Sequence, residues 1–184
     1  MTIKISEYCL TAYDLFKSSV YRWHSRLNKD AERAISRVFY QAVRDTNPDK
    51  TGFSTLPGVK TTGDGLTDDH FMSPQTVAKY IMDSPKILKN YEEFKKIFLA
   101  CRKTVVVTKE QNNILAQLTK KQPVLTKDKY YHLGYKLYYG HEKLPEINQV
   151  LPVPELYTKW EKKYIINDFR PTVVWTKPIA TLDI

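Results

Sequence analysis

Residues 104–112 read Thr104-Val105-Val106-Val107-Thr108-Lys109-Glu110-Gln111-Asn112. Three consecutive valines between threonines favour an extended, well-buried strand, because β-branched side chains fit a pleated surface. Thr108-Lys109-Glu110-Gln111 is then a capping box, in which a threonine and a glutamine three residues on satisfy the first free amides of a helix. The strand therefore passes directly into a helix, whose apolar positions are Ile114, Leu115 and Leu118. Asn112 falls in that helix's first turn.

Upstream, the pattern is helical. Phe94, Ile97, Phe98 and Cys101 recur at i, i+3, i+4 and i+7. Asn90 and Glu93 form a second capping box in front of them. A further helix opens at Ser73-Pro74, with serine as the cap and proline at the first position. It carries Val77, Tyr80 and Ile81, and Ser84-Pro85 ends it. Between Asp49 and Asp68, five glycines and prolines (Gly52, Pro57, Gly58, Gly63, Gly65) predict loops and short strands. The first fifty residues read as two helices. One runs from Tyr13 to Leu27, with Leu15, Phe16, Val20 and Trp23 available for burial. The next is capped by Asn28 or Asp30, carries Ala31, Ala34, Ile35, Val38, Phe39, Ala42 and Val43, and stops at Asn47-Pro48. After Gln122 the chain is rich in tyrosine, lysine and proline. Lysine and tyrosine are interleaved from Lys127 to Lys143, with a short helix expected at 154–164 and a strand at 172–176.

The 184 residues carry 29 Lys and Arg against 20 Asp and Glu, a net charge of +9. That excess favours nucleic acid, an anionic surface or another acidic partner, without choosing among them. Thirteen tyrosines beside many lysines suit stacking near a phosphate backbone, and equally suit half-buried surfaces. No aliphatic run is long enough to span a bilayer, and the N-terminus lacks the apolar stretch of a signal peptide, so a cytoplasmic protein with no membrane partner is expected. Two cysteines, Cys9 and Cys101, make neither a disulfide framework nor a four-cysteine metal site.

The chemistry concentrates at Thr67-Asp68-Asp69-His70. An Asp-His dyad at a loop or strand end sets a hard oxygen ligand beside a general base. The side-chain oxygen of Asn112 supplies a second hard donor. One carboxylate and one neutral amide leave most of a coordination sphere open, which suits Mg²⁺ shared between protein, water and a substrate phosphate. His24, His132 and His141 have no cysteine or acid at a spacing that would build a zinc site. Phosphate-binding glycine loops and nucleophile elbows are absent from the sequence.

Asp69-His70 together with Val107-Thr108-x-x-Gln111-Asn112 resembles the HNH endonucleases of the phage and homing type. Those proteins carry Asp-His on the first strand of a ββα-metal core and Val-Thr-x-x-Glu-Asn where the second strand enters the helix. The resemblance covers about residues 50–120. Gln111 replaces the usual glutamate, the central asparagine of the family name has no clear match near Lys103 or Thr104, and two helices fill a long gap between the motifs. The resemblance implies an α+β fold with a ββα-metal core at 49–121 containing a helical insertion, a helical segment at 1–48 and an irregular Tyr/Lys-rich extension at 122–184. It implies a metal-dependent endonuclease on double-stranded DNA, with His70 as general base, Asp69 and Asn112 as ligands of Mg²⁺ or Mn²⁺, and Asp68 as the ligand instead if the strand register differs by one. Lys103, Lys109, Lys127, Lys129 and Lys136 are the expected phosphate contacts. The rival readings are a non-catalytic basic nucleic-acid-binding protein and an interaction protein with no nucleic-acid role.

Overall fold

The computed structural model describes residues 5–21, 28–83, 85–121, 129–130 and 133–143. In chain order the elements are α1 (Ile5–Phe16), a π-helical turn (Lys17–Tyr21), α2 (Lys29–Asp45), β1 (Asp49–Ser54), β2 (Leu66–His70) and α3 (Pro74–Asp83). A 3-10 turn (Pro85–Lys89), α4 (Tyr91–Cys101), β3 (Lys103–Thr108), α5 (Lys109–Lys121), β4 (Tyr138–Tyr139) and β5 (Glu142–Lys143) follow. The fold is mixed α+β. Among the described residues the strands form a sheet of order β2-β3-β1-β4-β5.

The valine run becomes an interior strand for the reason its composition gives. Val105 and Val107 are fully buried, and β3 has a paired strand on each side. β2 runs antiparallel to β3, with Asp69 opposite Val105 and His70 opposite Thr104. β1 runs parallel to β3, and β4 adds to β1 antiparallel. Helices α3 and α4 lie between β2 and β3 in the chain.

Helix α2 is capped by Asn28, whose side chain accepts from the Ala31 amide at 2.9 Å. It buries Ile35, Phe39, Ala42 and Val43, while Val38 stays exposed. Asn90 caps α4 by accepting from the Glu92 amide, and Glu93 pairs with Lys96 at 2.7 Å instead of reaching back to the cap. The first helix departs from expectation. α1 begins at Ile5, well before Tyr13, and buries Cys9, Ala12, Tyr13 and Phe16, the i, i+3, i+4, i+7 stripe that wins over one centred on Leu15. The chain then widens into the π-helical turn, which still leaves Val20 buried. Trp23, the 154–164 helix and the 172–176 strand lie outside the described residues.

Phe16, Phe39, Phe94 and Phe98 pack through tilted and edge-to-face contacts with ring centroids 5.4–6.0 Å apart. Tyr13 joins them and donates its hydroxyl to the Leu88 carbonyl at 2.7 Å. This one core draws on α1 and α2 as well as on the 49–121 segment, and Tyr130 and Leu137 from beyond residue 122 belong to it too. The three expected segments therefore share a core, and the second and third also share the sheet.

Candidate functional site

Three local features place the site. The β2–β3 ladder carries Asp69 and His70 to the end of β2. The Thr108 capping box starts α5: the Gln111 amide donates to Thr108 Oγ1 and the Thr108 amide donates to Gln111 Oε1, each at 3.0 Å. Gln111 Oε1 also accepts from the Thr55 hydroxyl at 2.5 Å, which ties the helix start to the chain just after β1. The next residue, Asn112, is thereby turned into a cleft of about 290 Å³ whose walls also include Asp69, His70, Tyr40, Ser73 and Lys129. The three residues singled out by the sequence, Asp69, His70 and Asn112, thus line one cavity.

His70 is held in a defined tautomer. Its Nδ1 lies 2.8 Å from the carbonyl oxygen of Cys101. A carbonyl only accepts, so Nδ1 carries the proton and, in the neutral ring, Nε2 carries the lone pair. Burial lowers the imidazole's pKa below its ordinary value, against the opposing pull of the Cys101 carbonyl and Asp69. The ring is therefore neutral at pH 7 and able to accept a proton. The edge of Tyr40 packs on it, with centroids 6.1 Å apart. The orienting group that the sequence left unassigned is a backbone carbonyl, which no side-chain motif can reveal.

Asp69 has two partners that the sequence did not foretell. Lys129 Nζ sits 2.5 Å from Asp69 Oδ2, and the Tyr130 hydroxyl donates to the same oxygen at 2.6 Å. Lys129 also donates to the His70 carbonyl. Both residues are buried, Lys129 at 1% and Tyr130 at 0% exposure. Burial, and then the Asp69 charge, push the Tyr130 phenol well above its ordinary range, which keeps it a donor. Asp68 lines the same cleft, but its Oδ2 is 3.5 Å from Lys50 Nζ, and its buried Oδ1 has no partner among the described residues.

Of the five lysines expected to touch phosphate, Lys109 and Lys136 are exposed, Lys103 is half-buried on β3, and Lys127 lies outside the described residues. Lys129 is corrected from a surface contact to a buried partner of Asp69. Its place in an alternating Lys-Tyr run looked like a solvated face. His141 is exposed, and its ring would meet any side chain placed at Gly58, so it packs a loop. His24 and His132 lie outside the described residues.

Among the described residues, no three His, Cys, Asp or Glu side chains cluster as a metal site. A site of one carboxylate and one amide needs no such cluster. Asp69 and Asn112 offer hard oxygen donors, and both bonds from Lys129 and Tyr130 fall on Asp69 Oδ2 and not on Oδ1. That donor set fits a magnesium-like ion which keeps most of its sphere for water and phosphate. No helix among the described residues is long and apolar enough to cross a membrane. No family model, curated protein or solved structure matches the chain.

Proposed function

We propose that the protein is a divalent-metal-dependent endonuclease of the HNH type, hydrolysing phosphodiester bonds of double-stranded DNA. One observation carries the reading. A neutral histidine with its Nδ1–H fixed on a carbonyl shares a cleft with a carboxylate and an amide able to take a hard cation, Asp69 and Asn112. The antiparallel β2–β3 pair that runs into the capped helix α5, with α3 and α4 between the strands, fits a ββα-metal core with a helical insertion.

In this mechanism His70 Nε2 accepts a proton from a water molecule as that water's oxygen attacks the scissile phosphorus. The Cys101 carbonyl accepts from Nδ1–H throughout and stabilises the imidazolium that forms, much as an orienting acceptor does in other base-assisted hydrolyses. A Mg²⁺ or Mn²⁺ ion held by Asp69 and Asn112 would supply electrostatic stabilisation of the charge that builds on the phosphate and the leaving 3′-oxygen. Lys129 fixes the dyad by bonding both the Asp69 carboxylate and the His70 carbonyl. Lys109 and Lys136 are free to hold the flanking phosphates, which position the duplex without reading its bases.

The hold of Lys129 on Asp69 favours one other reading, a basic nucleic-acid-binding protein in which this ion pair is purely structural. Supercoiled plasmid incubated with the protein and Mg²⁺, Mn²⁺ or chelator separates the two. Strand breaks that need the cation support the nuclease. Retarded but uncut DNA under every cation supports the binder.

A further inference from the structure

A lysine with 1% exposure, bonded to the acid expected to hold a dication, is an unusual neighbour for that dication. At the carboxylate expected to hold the ion, the charges largely cancel. Asp69 is negative, Lys129 positive and Asn112 neutral. Asp68 also lines the cleft, with Oδ2 paired to Lys50 at 3.5 Å. A divalent ion held by Asp69 and Asn112 meets a carboxylate whose charge Lys129 already offsets. Lys129 lies on the same carboxylate and repels it.

We infer that Lys129 makes cation binding conditional on substrate: the free protein holds the metal weakly, and the DNA phosphate supplies the missing negative charge and oxygen donors. The inference rests on the nuclease reading and adds to it an order of assembly. Linkage then requires reciprocity, so the cation must strengthen DNA binding by the same factor that DNA strengthens cation binding. Lys129 is a positioning residue in this scheme. It holds Asp69 through Oδ2, as Tyr130 does, so the carboxylate is oriented before the cation arrives. The function is distinct from a phosphate contact, since its ammonium is committed to Asp69 and the His70 carbonyl.

The test measures Mn²⁺ binding, by the loss of the free ion's electron paramagnetic resonance signal, to the full chain carrying His70→Ala so that DNA stays intact. Titrations are run without DNA and with saturating duplex of mixed sequence. Mn²⁺ should bind at least about tenfold tighter with the duplex, given the strength of charge interactions at a few ångströms in a partly buried site. Lys129→Met in the same background should raise Mn²⁺ affinity without DNA by at least about tenfold and shrink the DNA effect. Mn²⁺ should also raise the melting temperature of that variant, whose Asp69 lacks a counter-charge, more than that of its parent. If Lys129→Met does not fold, Lys129→Gln removes the charge and keeps a donor for Asp69, with the same expectations. Equal Mn²⁺ affinity with and without DNA, or no gain in either lysine variant, overturns the coupling and leaves the nuclease reading standing. No Mn²⁺ bound under any condition overturns both.

Discussion

Gln111 is the residue whose loss should most directly show how the cleft is built. Its side-chain oxygen accepts two hydrogen bonds, from the Thr108 amide at 3.0 Å and the Thr55 hydroxyl at 2.5 Å, at 7% exposure. Gln111→Ala removes one half of the capping box, a loss of about 1 kcal/mol. It also strands the buried Thr55 hydroxyl, at a further cost of about 1–3 kcal/mol. The sum is roughly 2–4 kcal/mol, and for a chain of this size about 2–4 °C of melting temperature per kcal/mol gives a drop of about 5–15 °C. Gln111→Glu keeps an acceptor in the same place. A negative charge at a helix start gains about 0.3–1 kcal/mol, opposed by the cost of burying it, so this variant should stay within about 1 kcal/mol of the parent. Urea denaturation followed by circular dichroism measures both. A Gln111→Ala protein within about 0.5 kcal/mol of the parent would refute the assignment of this cap as the element that fixes Asn112.

Two further expectations concern charge. Because the folded His70 has a lowered pKa, the unfolded chain takes up this proton first as pH falls. Stability should therefore decline from about pH 6.5 down to the folded pKa, by at most ~1.4 kcal/mol per pH unit from this group, and His70→Asn should show a flatter profile in denaturant titrations across that window. If Lys109 and Lys136 contact phosphate, their joint replacement by alanine should reduce the slope of log affinity against log salt by about 1.8, close to 0.9 for each lost contact. An unchanged slope in filter binding would place the duplex on another face.

Much of the fold could be read from local signals. The valine run, the Thr108–Gln111 box, the Asn28 and Asn90 caps and the Ser73-Pro74 start each act within four residues, and each is realised where the sequence puts it. What escaped reading is non-local. Nothing in Asp49–Ser54 announces a strand parallel to β3, because β1 contains Gly52 and alternates poorly. The start of α1 depended on which of two overlapping stripes met the aromatic core. At the site, the motif residues Asp69, His70 and Asn112 were legible because short spacings encode them. Lys129 and Tyr130 were not, since about sixty residues separate them from Asp69 and only tertiary packing turns a basic–aromatic run inward. The Cys101 carbonyl left no trace in side-chain chemistry.

The central claim is that His70 acts as a base on water, and the rate of single-turnover DNA cleavage as a function of pH, compared between the parent and His70→Ala, tests it most directly. The parent rate should rise with pH through an inflection below about 6.5 and level off above it, since only the neutral ring accepts a proton and burial lowers its pKa. His70→Ala should cut about 10²–10⁴-fold more slowly, lose that inflection, and still bind DNA. A folded His70→Ala protein that cleaves at the parent rate with the same pH profile would contradict the claim.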